Sequence, residues 1–153
     1  MNPRLFAWIA GTLLVLVGAG GFVPALLVTV DDPLRVAAGV GDPQLLGFFP
    51  VSPVLNAVHL ALGLWGLVAG RTYNAALTFA RRAAIVAAVL TLAGMVPGLD
   101  IGFGGVPLYG NNLLLHGLLA LASALFGWLY RRSPATVALD APDEDDELEA
   151  TAF

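Results

Sequence analysis

Four stretches of the chain run for roughly 18 to 25 residues with almost no charge, the length a helix rising 1.5 Å per residue needs to cross a bilayer core of about 30 Å. The pattern predicts helices over residues 5–30, 51–70, 79–97 and 108–130. The third is the shortest: its uncharged part begins at Ala83, and it reaches spanning length only when Phe79 to Arg82 form an interfacial turn. Arg81 and Arg82 then snorkel back to the headgroups.

Within these stretches, small and polar residues recur at spacings of three and four, the period of a helix seam. The second carries Asn56, His59, Gly63, Gly66 and Gly70, and the third Ala80, Ala84, Ala87, Thr91, Gly94 and Gly98. The fourth carries Asn112, His116, Ala120, Ser123 and Gly127, and the first Ala7, Gly11 and Gly18. Lipid tails do not drive helices together, so close backbone approach at small residues is the main packing force available in a bilayer. Gly63, Gly66, Gly70, Gly94 and Gly127 are the expected packing positions, and Leu, Val, Phe and Trp take the opposite, lipid-facing sides. The reading is an all-α polytopic membrane protein. Residues 1–132 form a four-transmembrane-helix bundle in which sequential helices are antiparallel neighbours.

Composition sharpens this. The chain is 58% hydrophobic and 12% charged, about half the charge of an ordinary soluble domain. There is no cysteine, which excludes disulfides and thiolate chemistry. An N-terminal arginine before an apolar run also resembles a signal peptide, but the run continues to Val30, past any cleavage site near Gly18 and Ala19. All seven basic residues are arginine. Six of them (Arg4, Arg71, Arg81, Arg82, Arg131 and Arg132) flank the N-terminus, the second connection and the C-terminus, and only Arg35 lies opposite. The positive-inside rule then places both termini in the cytoplasm of a plasma-membrane protein.

The net charge of -4 belongs to the tail. Residues 133–153 lack any hydrophobic period, hold seven of the eleven carboxylates between Asp140 and Glu149, and read as an acidic, disordered cytoplasmic segment. The connection from Asp31 to Pro50 is long and rich in Gly and Pro. Its apolar end, Leu45 to Phe49, suits the outer interface as an anchor capping the bundle, with a lid or docking loop as the alternative. The inner connection, Arg71 to Arg82, is short and basic, and its Tyr73 suits headgroup depth. The glycines from Gly98 to Gly105 read as a turn, with neither the preceding strand nor the following Lys-Ser/Thr of a phosphate loop.

The candidate chemistry is confined to two histidines. His59 and His116 stand on helices running in the same direction, His59 six residues past Pro53 and His116 six past Gly110, so both lie about 9 Å below the outer boundary. Asn56 and Asn112 sit one turn outward on the same faces. Polar groups in hydrocarbon are costly unless paired, so this buried cluster is either interhelical glue or function. As glue it fixes register by hydrogen bonds. As function, His59 and His116 are the metal candidates, ligating haem as two axial histidines or handling protons or ions. No catalytic triad, carboxylate pair or HExxH motif accompanies them.

The chain also resembles domain-of-unknown-function family four-three-eight-three, small four-helix membrane proteins of bacteria and archaea. The resemblance rests on Gly20-Gly21-Phe22-Val23-Pro24, Leu46-Gly47-Phe48-Phe49-Pro50-Val51, Asn56-Ala57-Val58-His59-Leu60 with Gly63 and Gly66, and Asn112-Leu113-Leu114-Leu115-His116. It covers residues 5–130 and implies four helices with no established activity. The family pattern often has an aspartate four residues before the last histidine, where this chain has Asn112. That departure weakens a proton-carrying or cation-binding role carried over to that position. The expected function is therefore a non-enzymatic scaffold or accessory subunit without a cofactor. Its partners are membrane lipids and a larger membrane complex or further copies of itself, with no nucleic acid. A histidine-ligated haem, redox or ion-handling protein is the alternative.

Overall fold

The computed structural model describes residues 2–29, 43–96, 98–99 and 106–130. The acidic tail, Arg35, Arg131, Arg132, residues 30–42 and the Gly102–Gly105 part of the glycine turn lie outside the described residues. Among those described are four long helices: α1 (Pro3–Gly20), α2 (Pro53–Ala69), α3 (Tyr73–Gly94) and α4 (Asn111–Ala124). A π-helical turn, Leu125–Leu129, continues α4. Counting that turn with α4, three of the four are long and apolar enough to cross a membrane, and α2, with 17 residues, is the shorter one.

Local chemistry sets each start. Asn2 Oδ1 accepts from the Leu5 amide, Ser52 Oγ from Leu55 and Thr72 Oγ1 from Ala75, each satisfying an orphan donor of a first helical turn. Pro3 and Pro53 occupy first-turn positions where a missing N–H costs nothing. The α4 cap is Gly110 at φ 61 and ψ -136, a backbone conformation open in practice to glycine.

Two expected boundaries are corrected. The first helix ends at Gly20, ten residues before the predicted end at residue 30, because Gly20-Gly21 and Pro24 break it. The apolar run goes on as a 3-10 turn at Pro24–Leu26 and a strand. The third helix starts at Tyr73, six residues before the predicted 79, because Thr72 caps it there. Arg81 and Arg82 therefore lie well inside α3, and the inner connection shrinks to Gly70, Arg71 and Thr72.

A small antiparallel sheet is the element the hydrophobic pattern did not predict. Its strands β1 (Leu27–Thr29), β2 (Pro43–Leu45) and β3 (Phe49–Pro50) pair in the order β1-β2-β3. Leu27 stands opposite Leu45, and Leu45 opposite Phe49. The β2–β3 turn holds Leu46 at φ 53, a left-handed conformation unfavourable for a side chain with a Cβ. Leu45 is buried over Gly20, while Leu46 and Phe48 point outward.

The helices pack as two close antiparallel pairs, α1 with α2 and α3 with α4, joined by contacts of α3 with α1 and α2. At one end, where Arg4, Arg71 and Arg81 gather, Phe6, Ala7, Ala69, Ala76, Phe79, Ala80 and Phe126 form an apolar core. Phe6 stacks on Phe126 with centroids 4.8 Å apart, and Trp65 meets Phe79 edge-on at 5.4 Å. The other end is closed by the sheet and the Pro107–Tyr109 segment. Away from the helix ends the outer faces are almost wholly apolar: Leu118, Leu121 and Leu129 are 67%, 72% and 73% exposed.

Candidate functional site

Glycines set how closely the helices approach. A Cβ on Gly63 would stand 2.7 Å from the Val15 amide nitrogen and 2.8 Å from the Gly11 carbonyl oxygen; one on Gly66 would stand 2.8 Å from the Phe79 ring and 3.0 Å from the Gly11 Cα. Gly18 presses on the Asn56 backbone and Leu60. Gly70 lies under the Trp8 indole, Gly94 against the Leu108 carbonyl, and Gly127 against Arg81. Two of these positions also anchor side chains. Arg4 Nε and Trp8 Nε1 donate to the Gly70 carbonyl at 3.2 and 3.1 Å, and Arg81 Nε donates to the Gly127 carbonyl at 2.8 Å. Cations at helix C-terminal carbonyls are favourable for both hydrogen bonding and the helix dipole. Arg82 lies over the Trp65 ring, 5.9 Å from its centroid.

Toward the sheet end, the seams of α2 and α4 turn polar. Asn56, His59, Asn112 and His116 are 1%, 3%, 1% and 1% exposed. The two imidazoles meet across the bundle, their centroids 5.7 Å apart and their planes inclined by 47°. Asn56 and Asn112 stand three and four residues before their histidines, one turn closer to the sheet on the same helix faces.

Asn112 has a further task. Its Nδ2 donates to the Pro50 carbonyl at 2.6 Å and to the Pro107 carbonyl at 2.8 Å, tying β3 and the approach to α4 to one amide. Asn111 Nδ2 adds a bond of 3.0 Å to the Phe48 carbonyl. These bonds are invisible to helical periodicity, since the acceptors are loop carbonyls. Gly21 also escaped the pattern: the Asn56 carboxamide sits directly against its Cα, so any Cβ there would collide with it. The spacing of Gly11, Gly18 and Gly21 was the available signal.

What the cluster does not do is pair with itself. Both nitrogens of each histidine, and the Oδ1 atoms of Asn56 and Asn112, are buried without a hydrogen-bond partner; Ser123 Oγ, farther along α4, is alike. The interhelical hydrogen bonds expected of a purely structural cluster are therefore absent among the described residues at these atoms.

A bundle of apolar helices around a buried Asn/His cluster defines a small helical protein with a polar locus enclosed by hydrophobic faces. The chain belongs to the family described as a domain of unknown function (DUF4383), whose model matches residues 4–129. Among curated proteins and solved structures, none matches the chain.

Proposed function

We propose that this chain is a multi-pass protein of the cell membrane that acts without catalysis, as a scaffold or accessory subunit of a larger membrane complex. Its four helices span the bilayer, both termini lie in the cytoplasm, and the sheet caps the outer end. The observation that carries the reading is the continuous apolar exterior. Leucines and valines on every helix, such as Leu13, Leu64, Val89 and Leu121, are more than half exposed. A water-soluble monomer does not keep such a surface; a protein solvated by lipid or by other membrane helices does.

The charge pattern supports the orientation. Arg4, Arg71, Arg81 and Arg82 gather at the end opposite the sheet, where the positive-inside rule puts the cytoplasm. A cleft of about 310 Å³ between α1 and α4, lined by Ile9, Leu13, Val17, Leu115 and Leu118 among others, suits a lipid acyl chain. Alkaline extraction of membranes, followed by purification of the full chain at native expression level, tests the proposal. The chain should stay with the membrane fraction and bring a membrane protein or further copies of itself in fixed ratio. Release by alkali, or recovery as a monomer from mild detergent, contradicts it.

A further inference from the structure

The two helix pairs leave a gap between α1 and α4. On α1 the close-packing glycines, Gly11 and Gly18, face α2, while on α4 Gly117 and Gly127 face Thr91 and Arg81 of α3. The sides that α1 and α4 turn to each other carry branched side chains instead, among them Ile9, Leu13, Leu115 and Leu118. With few small residues in the seam, the backbones cannot approach closely. The two helices meet where Phe6 stacks on Phe126, and beyond that stack they stand apart around the cleft of about 310 Å³.

Length assigns the cleft to one leaflet. Its walls run from Phe6 to Val17 on α1 and from Leu115 to Phe126 on the α4 side, eleven residues apart in each case, or about 16 Å of helix. Half of a bilayer core of about 30 Å is about 15 Å. The Phe6–Phe126 end lies on the arginine side, which makes the leaflet the cytoplasmic one. Every lining side chain is apolar, so water finds no hydrogen-bond partner there. A hydrocarbon chain needs none.

Charge selects the headgroup. Arg4 stands two residues before Phe6 and is held by its Nε on the Gly70 carbonyl; Arg81 is held by its Nε on the carbonyl of Gly127, the residue after Phe126. A guanidinium carries five N–H donors in a planar fork that matches phosphate, and one from each arginine serves as the anchor here. Both cations are thereby fixed beside the cytoplasmic end of the cleft, at the depth of lipid headgroups.

We propose that the cleft between α1 and α4 holds one acyl chain of an anionic phospholipid of the cytoplasmic leaflet, whose phosphate is received by Arg4 and Arg81. The inference rests on the membrane placement proposed above and deepens it by naming the class of lipid and its seat. Alkaline extraction reads whether the chain lies in the membrane, and lipid retention reads what the cleft holds. A chain that stays with the membrane but keeps no lipid overturns this inference alone.

The test uses the full chain purified in a mild neutral detergent. It is titrated with dioleoyl phosphatidylglycerol and, in parallel, with dioleoyl phosphatidylcholine, two lipids with the same chains and different headgroup charge, and native mass spectrometry counts the lipids kept per chain. The wild-type chain should keep one phosphatidylglycerol, at least about tenfold more tightly than phosphatidylcholine, the share of one to two arginines near an anionic headgroup. Ala122→Phe, which fills the cleft from the α4 side, should lose both lipids with its helical circular dichroism unchanged. Arg4→Gln combined with Arg81→Gln should bind the two lipids equally. The wild-type preference is read without reference to how the variants fold. Equal retention of the two lipids by the wild type overturns the proposal and is the result expected if the arginines serve the chain's own acidic residues 140–149 instead. A lipid-free dimer, the result expected if a second copy fills the cleft, overturns it too, as does an unchanged lipid count in a folded Ala122→Phe variant.

Discussion

Adding one methyl group at each of two glycines separates packing from helix propensity. Gly63 and Gly117 both lie in helix interiors, so replacing either by alanine gains up to about 1 kcal/mol of propensity. Their surroundings differ. At Gly63 the new carbon meets backbone atoms of α1 at 2.7 and 2.8 Å, whereas at Gly117 its nearest neighbour is Thr91 Cγ2 at 3.8 Å. Ordinary contact begins near 3.4 Å, so α1 and α2 must part by roughly 0.7 Å to admit the Gly63 methyl, an overpacking that costs about 1–3 kcal/mol. The obstacle is backbone, which cannot rotate aside. Gly117→Ala should therefore stabilise the protein by up to about 1 kcal/mol, and Gly63→Ala should be neutral to destabilising by about 2 kcal/mol. Reversible unfolding in mixed anionic and neutral detergent micelles, followed by far-UV circular dichroism, reads both midpoints. If the two variants shift equally in the same direction, close approach at Gly63 is not what packs α1 on α2.

Three further perturbations probe other contacts by the same assay. Asn112→Leu removes the donor shared by the Pro50 and Pro107 carbonyls and should cost about 2 kcal/mol; an unchanged midpoint would show that the clamp carries no energy. Arg81→Met keeps the apolar stem but loses the bond to the Gly127 carbonyl. It should cost about 1 kcal/mol, less than a fully buried charged bond because Arg81 is solvent-exposed, and a stabilised variant would contradict the bond's role. Leu46→Gly relieves the left-handed backbone at φ 53 and should stabilise by up to about 1 kcal/mol; a loss would mean that the leucine side chain holds the turn.

The seams were legible because helix packing repeats every three to four residues. Gly63, Gly66, Gly70, Gly94 and Gly127 all lie in tight contacts, and His59 meets His116 because nearly equal distances from two helix starts, at Pro53 and Asn111, translate into a similar depth. The end of α1 was misread for a physical reason: a strand and a helix in apolar surroundings draw on the same residues, and Leu26 to Thr29 continue the hydrophobicity of α1 without a break. Gly20, Gly21 and Pro24 were the stop signal, outweighed by that continuity. The start of α3 was missed because Arg81 and Arg82 look like a boundary, yet Arg81 finds a carbonyl on the π-helical turn after α4 and Arg82 an indole face. The carbonyls that hold Asn112 come from segments distant in sequence, which no local periodicity encodes.

The proposed role depends most directly on how the bundle sits in the membrane. Reporters that are active on only one side of the bilayer can be fused after Phe153 and inserted, in separate chains, between Asp31 and Asp42. A cytoplasmic reporter active at Phe153 and silent in the 31–42 segment, with the mirror result for an external reporter, is the outcome predicted by four spans with both termini inside. A cytoplasmic reporter active at both positions, or silent at Phe153, contradicts it.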